Sequence, residues 1–415
     1  MSVSLSHIND HNMAVSSCCG REEPSNGTSY SASTAAAERK PAEGEPAAAA
    51  IEDGAGVGNS SQGADTKAAV QASVQRYYGE VLQDSSDLKT SACCTPNAPP
   101  KHVRDALRNV PDEVVAKYYG CGSPLPAAGL RVLDLGSGSG RDCYLAAALV
   151  GPSGRVIGVD MTDAQLAVAR KYVEEYTQRL GYSQANLSFR KGTIEDLQQA
   201  GIADASVDLI ISNCVVNLSP DKAAVLREAY RVLAPGGEFH FSDVYCDRRL
   251  PAAVRRHEVL LGECLGGALY VNDFKRLCHD VGFLDPRVLS CHEVQVTDAA
   301  LRELVGEARF HSVTYRLFKL PGRLETACED YGQVAIYKGS IPESGAAYQL
   351  DDHHRFEKGR PHLVCGNSAA MVGESWLKDH FEVLGDRLTH YGAFEACKED
   401  FKSTIFAPQG LGNCC

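Results

Sequence analysis

The chain has 415 residues, of which 44% are hydrophobic and 23% are charged. These values are typical of a folded protein with more than one structural unit. A net charge of −12 leaves no basic surface for a phosphate backbone, so nucleic acid is not an expected partner. No apolar run is long enough to cross a membrane, and the first residues do not resemble a signal peptide. A cytoplasmic monomer is therefore expected.

The first part of the chain differs in composition from the rest. Residues 1–66 are rich in alanine, serine, glycine, glutamate and proline, and contain few large apolar residues. Such a segment buries too little surface to offset its ordering entropy, which predicts a disordered tail. Order is expected from about Val70, with a helix that starts within 74–78 and ends near Gly79.

From Arg131 onwards, short apolar segments alternate with amphipathic ones. This alternation predicts an α/β fold, a Rossmann-like parallel sheet with helices on both faces. It defines an expected main domain over 67–284. Strands are predicted near 131–136, 155–160, 187–192, 207–213 and 237–243, and helices near 164–180 and 222–233.

Beyond residue 285 the alternation fades. Segments 315–320 and 333–339 are typical of strands, and they predict a separate small α+β unit over 285–345, which is assigned to the metalloid site. Residues 346–415 form a third expected unit, with one helix at 369–377 and a mobile tail that ends in Cys414 and Cys415.

A glycine-rich segment, Asp134 to Gly140, follows the first predicted strand and precedes a helix. Glycines let the backbone turn tightly and approach a ligand without a Cβ in the way. A dinucleotide-binding loop has similar glycines, but the spacing here is D-x-G-x-G-x-G and not G-x-G-x-x-G. The spacing favours a methyltransferase cofactor site. The loop residues expected to bind the cofactor are Asp134, Gly136, Ser137, Gly138 and Gly140.

Other polar residues follow the ends of the neighbouring strands. Asp160 ends the second strand, where a carboxylate can accept hydrogen bonds from a ribose diol, and residues 193–195 follow the third strand, where an adenine would lie. Ligands of open α/β sheets bind at this carboxyl edge. The further cofactor residues expected at this edge are Asp160, Met161, Thr193, Ile194, Glu195 and Asn213. Tyr119, which precedes the first strand, is expected to present its ring or hydroxyl to the cofactor.

The chain has 16 cysteines and no C-x-x-C pair, which is unlike a structural zinc protein. Cys214 directly follows the fourth strand, and Cys264 lies in a glycine-flanked segment after the fifth. Cys121 precedes the first strand, and Cys93 and Cys94 lie in a turn. A soft acceptor other than zinc suits such thiols. By contrast, Cys143, Cys278 and Cys291 are interpreted as core residues.

Several segments resemble the arsenite S-adenosylmethionine methyltransferases, closely over about 75–340 and more loosely beyond. S-N-C-V-V-N-L and G-E-C-L-G-G-A-L are the selective motifs, whereas the glycine loop is common to methyltransferases. The resemblance implies a class I methyltransferase fold, S-adenosylmethionine as methyl donor, and arsenite or its glutathione complex as substrate. The matching segments are 87–93, 118–122, 134–142, 212–218, 241–245 and 262–269.

The resemblance also implies roles for individual cysteines. Cys121, Cys214 and Cys264 are similar to three thiolates that hold trivalent arsenic. Cys93, or alternatively its neighbour Cys94, is similar to a fourth thiol that joins the redox part of the cycle. Glutathione or thioredoxin would then reduce the protein disulfide. Cys414 and Cys415 resemble a terminal pair that captures or transfers the metalloid. Ala308 stands where animal members have a cysteine, which puts a disulfide at that position in doubt.

Two other functions remain open from the residues alone. The first is methylation of a small organic metabolite, with no chemical role for the cysteines. The second is sequestration of a metalloid by a thiol-rich protein that does not use its cofactor site. His353 and His354 suggest a metal site, but polar residues in a predicted loop are more often solvated.

Overall fold

The structure is a computed structural model, and it describes residues 60–78, 101–117, 129–342 and 344–395. Most of the predicted tail therefore lies outside the described residues. The first helix, α1, runs from Ser60 to Arg76, so the expected start of order near Val70 is wrong. A π-helical turn continues the helix through Tyr78, which agrees with the expected end near Gly79. Alanine, glutamine and lysine are good helix formers, so a segment poor in large apolar residues can still be helical.

The centre of the fold is an eight-stranded sheet in the order β3-β2-β1-β4-β5-β8-β7, with β6 also paired to β5. The five strands β1 to β5 are parallel to one another. At one edge of the sheet, β8 pairs antiparallel with β5, and β7 pairs antiparallel with β8. The strands are β1 (Arg131–Leu135), β2 (Arg155–Asp160), β3 (Leu187–Lys191), β4 (Val207–Asn213), β5 (Leu233–Cys246), β6 (Leu269–Tyr270), β7 (Arg287–Val294) and β8 (Phe310–Phe318).

Helices cover both faces of this sheet, as predicted. Leu133 and Leu135 of β1 pack into one hydrophobic cluster, and Val132 between them packs into another on the opposite face. This follows from the two-residue period of a strand. The helices after α1 are α2 (Lys101–Leu107), α3 (Asp112–Ala116), α4 (Arg141–Val150), α5 (Asp163–Lys171), α6 (Val173–Arg179), α7 (Lys222–Val232), α8 (Ala252–Arg255), α9 (Glu258–Gly262), α10 (Val271–Val281) and α11 (Ala299–Val305).

The expected separate unit over 285–345 is partly wrong. β7 and β8 belong to the central sheet, because β5 is 14 residues long and β8 pairs with its other edge over nine residue pairs. The expected strand at 333–339 is confirmed as β10, and the predicted helix at 369–377 is found three residues earlier, as α12. The remaining elements are β9 (Glu329–Asp330), β10 (Gln333–Tyr337), β11 (Ala347–Gln349), β12 (Arg355–Glu357), β13 (Pro361–Val364), α12 (Gly366–Glu374), β14 (Phe381–Leu384) and β15 (Gly392–Ala393).

The C-terminal elements have a core of their own, built around the three-stranded sheet β13-β10-β14 and α12. A buried ion pair within the central sheet, between Glu238 of β5 and Arg316 of β8, is in contact with this core. Arg316 also donates to the carbonyl of Leu350, and the indole of Trp376 donates to Glu238 at 2.8 Å. Among the described residues, no helix is both long enough and apolar enough to cross a membrane.

Candidate active site

The glycine loop connects β1 to α4 in a conformation that only glycine adopts without strain. Gly136, Gly138 and Gly140 have φ values of +70°, +52° and +92°. A Cβ on Gly136 would lie 2.3 Å from Cγ1 of Val215, far inside van der Waals contact. The glycine pattern is therefore explained by backbone conformation and by close packing against the residue that follows Cys214.

The loop forms one wall of an open cleft at the carboxyl ends of the parallel strands. Cofactors of open α/β sheets bind at this edge. Gly140 is the N-cap of α4 and is not part of the lining, and Tyr119 lies outside the described residues. The predicted residues that line the cleft are Asp134, Gly136, Ser137, Gly138, Asp160, Met161, Thr193, Ile194, Glu195, Asn213 and Cys214.

Three carboxyl groups lie in this wall, on Asp134, Asp142 and Asp160. Burial, followed by the nearby charge of Asp142, raises the pKa of Asp134 to about 8. Burial also raises the pKa of Asp160. Such a wall favours a cationic ligand, because a positive charge nearby stabilises the ionised carboxylates.

Asp160 has a structural role that the sequence did not indicate. Its Oδ2 accepts a hydrogen bond from the backbone N–H of Gly138 at 2.9 Å, and its Oδ1 accepts one from Thr162 at 2.8 Å. The carboxylate therefore holds the glycine loop against the end of β2. Each oxygen has a second lone pair that could accept from a ligand.

Asp142 is a cleft residue that the sequence analysis missed. Its Oδ2 accepts from the amide of Asn213 at 3.1 Å, and its Oδ1 pairs with Arg141 at 2.8 Å. Arg141 and Asp142 both belong to the D-L-G-S-G-S-G-R-D segment. Their position in the first turn of the helix after the glycine loop was the available signal for a cleft residue.

Cys214 and Cys264 lie together at the side of the cleft. Both are 2% exposed, and the Cys264 thiol donates a hydrogen bond to the carbonyl oxygen of Cys214 at 2.9 Å. Their φ values are +57° and +67°, a region that costs a residue with a Cβ about 1–2 kcal/mol. Conformations of this kind are concentrated at functional sites. Cys214 is disulfide-bonded in this structure.

Asp243 of β5 lies beside the two cysteines and was also missed. One of its oxygens and the two sulfurs all lie within 4.8 Å of one another. Burial raises the pKa of Asp243 to about 7, although backbone N–H groups donate to it. Burial lowers the pKa of the Lys222 ammonium to about 8, and the charges of Asp243 and Cys264 oppose that shift. Asp243 lies in segment 241–245, one of the segments on which the family resemblance rests, and that match was the available signal.

Some of the cysteines with predicted roles lie outside the described residues. They are Cys93, Cys94, Cys121, Cys414 and Cys415.

Cys143 and Cys278 are buried in hydrophobic clusters, and Cys291 packs against one, as expected of core residues. The interpretation of His353 and His354 as simply solvated is wrong for His354. Its Nδ1 lies 2.8 Å from the buried carboxylate of Asp351, which also pairs with Arg287.

The fold and the cleft define an S-adenosylmethionine-dependent methyltransferase of class I. A family model described as a methyltransferase domain matches residues 126–282. An arsenic(III) S-adenosylmethionine methyltransferase of Chlamydomonas reinhardtii has a crystal structure similar to this chain, with a TM-score of 0.70 and 63% identity. That match covers 72% of this chain and 100% of the other.

Sequence relatives narrow the class further. An arsenite methyltransferase of Aquipseudomonas alcaligenes is 58% identical over 327 residues, which cover 78% of this chain and 94% of that one. The human arsenite methyltransferase is 41% identical, over 84% of this chain and 97% of that one. This chain belongs to the arsenite methyltransferase family. The expected family, fold class and methyl donor are confirmed.

Proposed function

We propose that this chain methylates trivalent arsenic while the arsenic is bound by the thiolates of Cys214 and Cys264. Cys121, which lies outside the described residues, would supply the third sulfur. The observation that carries the proposal is the position of the two sulfurs, buried and within 4.8 Å of each other beside the glycine-loop cleft. Arsenic(III) is soft, so it favours thiolate over oxygen donors.

The cleft residues fit S-adenosylmethionine. Gly138 has open space where a Cβ would lie, which allows a close approach to the backbone, and the carboxylates of Asp134 and Asp160 complement its ammonium and sulfonium charges. Thr193, Ile194 and Glu195 would line the adenine end, and Tyr119 would present an aromatic face to the sulfonium. When bound, this donor supplies an electrophilic methyl group with a good leaving group already attached.

The role of the protein in the transfer is then mainly positioning. Three thiolates hold arsenic in a pyramidal arrangement and leave its lone pair free as the nucleophile. Val74, Val215 and Leu218 line the cleft near the cysteines and exclude water from the metalloid. The nucleophile loses no proton, so no general base is required.

Methyl transfer formally oxidises arsenic by two electrons, and two thiols can return them by forming a disulfide. Cys93 is proposed as one of these thiols. The disulfide-bonded state of Cys214 is consistent with a cycle in which the ligand cysteines alternate between thiol and disulfide. Glutathione or thioredoxin would reduce the disulfide, which suits a cytoplasmic location. We propose that the enzyme acts as a monomer.

The test is S-adenosylmethionine-dependent methylation of arsenite with glutathione present, by the wild type and by Cys214→Ser. We expect product from the wild type and at least about a 100-fold loss in the variant, because the ligand that positions arsenic is gone. Equal product from both proteins would overturn the thiolate proposal. No product from either, with the methyl donor still bound, would point to an organic acceptor.

A further inference from the structure

The carboxylate of Asp243 has no part in the proposed arsenic chemistry, which uses sulfur alone. Its oxygen nevertheless lies within 4.8 Å of the sulfurs of Cys214 and Cys264, and all three residues are buried. Two sulfurs and one carboxylate form a mixed donor set. Arsenic binding by sulfur alone does not explain why a carboxylate is buried beside these two cysteines.

Asp243 has only backbone groups as close partners within the described part of the chain. Its oxygens accept hydrogen bonds from the N–H groups of Asn217 at 2.9 Å and Val244 at 2.8 Å. The Lys222 ammonium is near enough for its charge to oppose the rise in the pKa of Asp243, but none of the described basic residues forms a direct ion pair with this carboxylate. A carboxylate buried in this way is stabilised when a cation binds beside it.

We propose that the reduced thiols of Cys214 and Cys264, together with Asp243, form a site for a thiophilic divalent cation of the zinc class. Zinc accepts sulfur and carboxylate donors and commonly leaves a fourth position open. Tetrahedral zinc would bring these donors to about 3.5–3.8 Å from one another, given its bond lengths. The donors lie within 4.8 Å, so a movement of about 1 Å would close the site.

The local charges favour a divalent cation. Two thiolates and a carboxylate carry three negative charges, and the ammonium of Lys222 interacts with both Asp243 and Cys264. A divalent cation makes the group neutral. On binding, each thiol proton passes to solvent and a sulfur–metal bond forms, so no oxidation state changes. The Cys264 thiol would give up its hydrogen bond to the carbonyl of Cys214.

Such a cation would exclude arsenic, because it takes two of the same sulfurs. This competition rests on the proposed function, whereas the cation site itself does not. Zinc-class ions are then inhibitors that act at the substrate site, and the carboxylate makes the site more favourable for them than sulfur alone.

The experiment uses reduced full-length protein without arsenite or methyl donor. Cd²⁺ is titrated in, and its binding is followed by thiolate-to-cadmium absorption. We expect Asp243→Asn to weaken the arsenite-displaceable cadmium site at least about 10-fold. Asp247→Asn, a carboxylate just after the same strand that pairs with Arg248, is the matched control and should bind as the wild type does. Equal cadmium affinity in Asp243→Asn and the wild type would overturn the proposal.

A second measurement needs no variant. The ¹¹³Cd NMR signal that arsenite removes from the wild type should have the shift of mixed sulfur and oxygen ligation. A shift typical of sulfur ligands alone would overturn the proposal, whereas a mixed-ligand signal that arsenite does not displace would count against the arsenic ligands of the proposed function. Intact mixed ligation in a protein that fails to methylate arsenite would count only against the proposed function.

Discussion

The thiol of Cys264 donates a hydrogen bond to the backbone carbonyl of Cys214, 50 residues earlier in the chain. The contact joins the segment after α9 to the end of β4, and both residues have a left-handed backbone. Two cysteines that the sequence could place only separately are therefore held as one buried pair. Several consequences of this site and its surroundings can be measured.

Cys264→Ser should abolish arsenite methylation, with a loss of at least about 100-fold, because one arsenic ligand is removed. Binding of the methyl donor should persist, since Cys264 is not among the residues that line the cofactor cleft. Cys291→Ser, which alters a partly buried cysteine outside the site, is the control. Methylation by Cys264→Ser within threefold of the wild type would argue against its role as a ligand.

The affinity for S-adenosylmethionine should depend on pH through Asp134. The pKa of Asp134 is about 8 without a ligand, because of burial and the nearby charge of Asp142. A cationic ligand favours the carboxylate, so binding below pH 8 must release a proton. Affinity should then fall as pH drops below 8, by up to about tenfold per unit, and level off above it.

Calorimetry in buffers of different ionisation enthalpy would measure that proton release directly. Asp134→Asn should bind more weakly and without the pH dependence, since its amide does not ionise. Constant affinity from pH 6 to 9, with no proton released by the wild type, would contradict the linkage.

Gly136→Ala should destabilise the protein and weaken cofactor binding. Its Cβ would meet Val215 at 2.3 Å, and its φ of +70° is strained for alanine. Gly181→Ala is the control, because Gly181 has a φ of +71° but open space around the new Cβ. We expect about 1–2 kcal/mol for Gly181→Ala from backbone strain alone, and about 1–3 kcal/mol more for Gly136→Ala. Denaturant unfolding would show whether the two variants differ; equal losses would mean that Val215 moves aside.

Glu238→Gln should lower the free energy of unfolding by about 3–5 kcal/mol, because it leaves the Arg316 guanidinium buried without its counter-charge. The pair is bidentate, at 2.6 and 2.8 Å, and both side chains are at most 3% exposed. Asp208→Asn, which breaks the more exposed pair with Arg131, should cost less than about 1 kcal/mol. Similar losses in both variants, measured by chemical denaturation, would refute this account.

The sequence by itself determined the parts of the protein that depend on local pattern. Strand alternation, the glycine loop after β1 and the position of Cys214 at the end of β4 all follow from neighbouring residues. They could be predicted because strand periodicity, turn chemistry and the shared carboxyl edge of parallel strands are properties of short segments.

Only the tertiary structure decided which distant groups meet. The addition of β8 to the edge of β5, the contact between Cys264 and Cys214, and the place of Asp243 beside both sulfurs join segments far apart in the chain. Asp243 belongs to segment 241–245, on which the family resemblance partly rests, but its neighbours in sequence did not indicate that it would lie beside the two sulfurs. Such convergence depends on how whole elements pack, and a segment read alone contains no information about its packing partners.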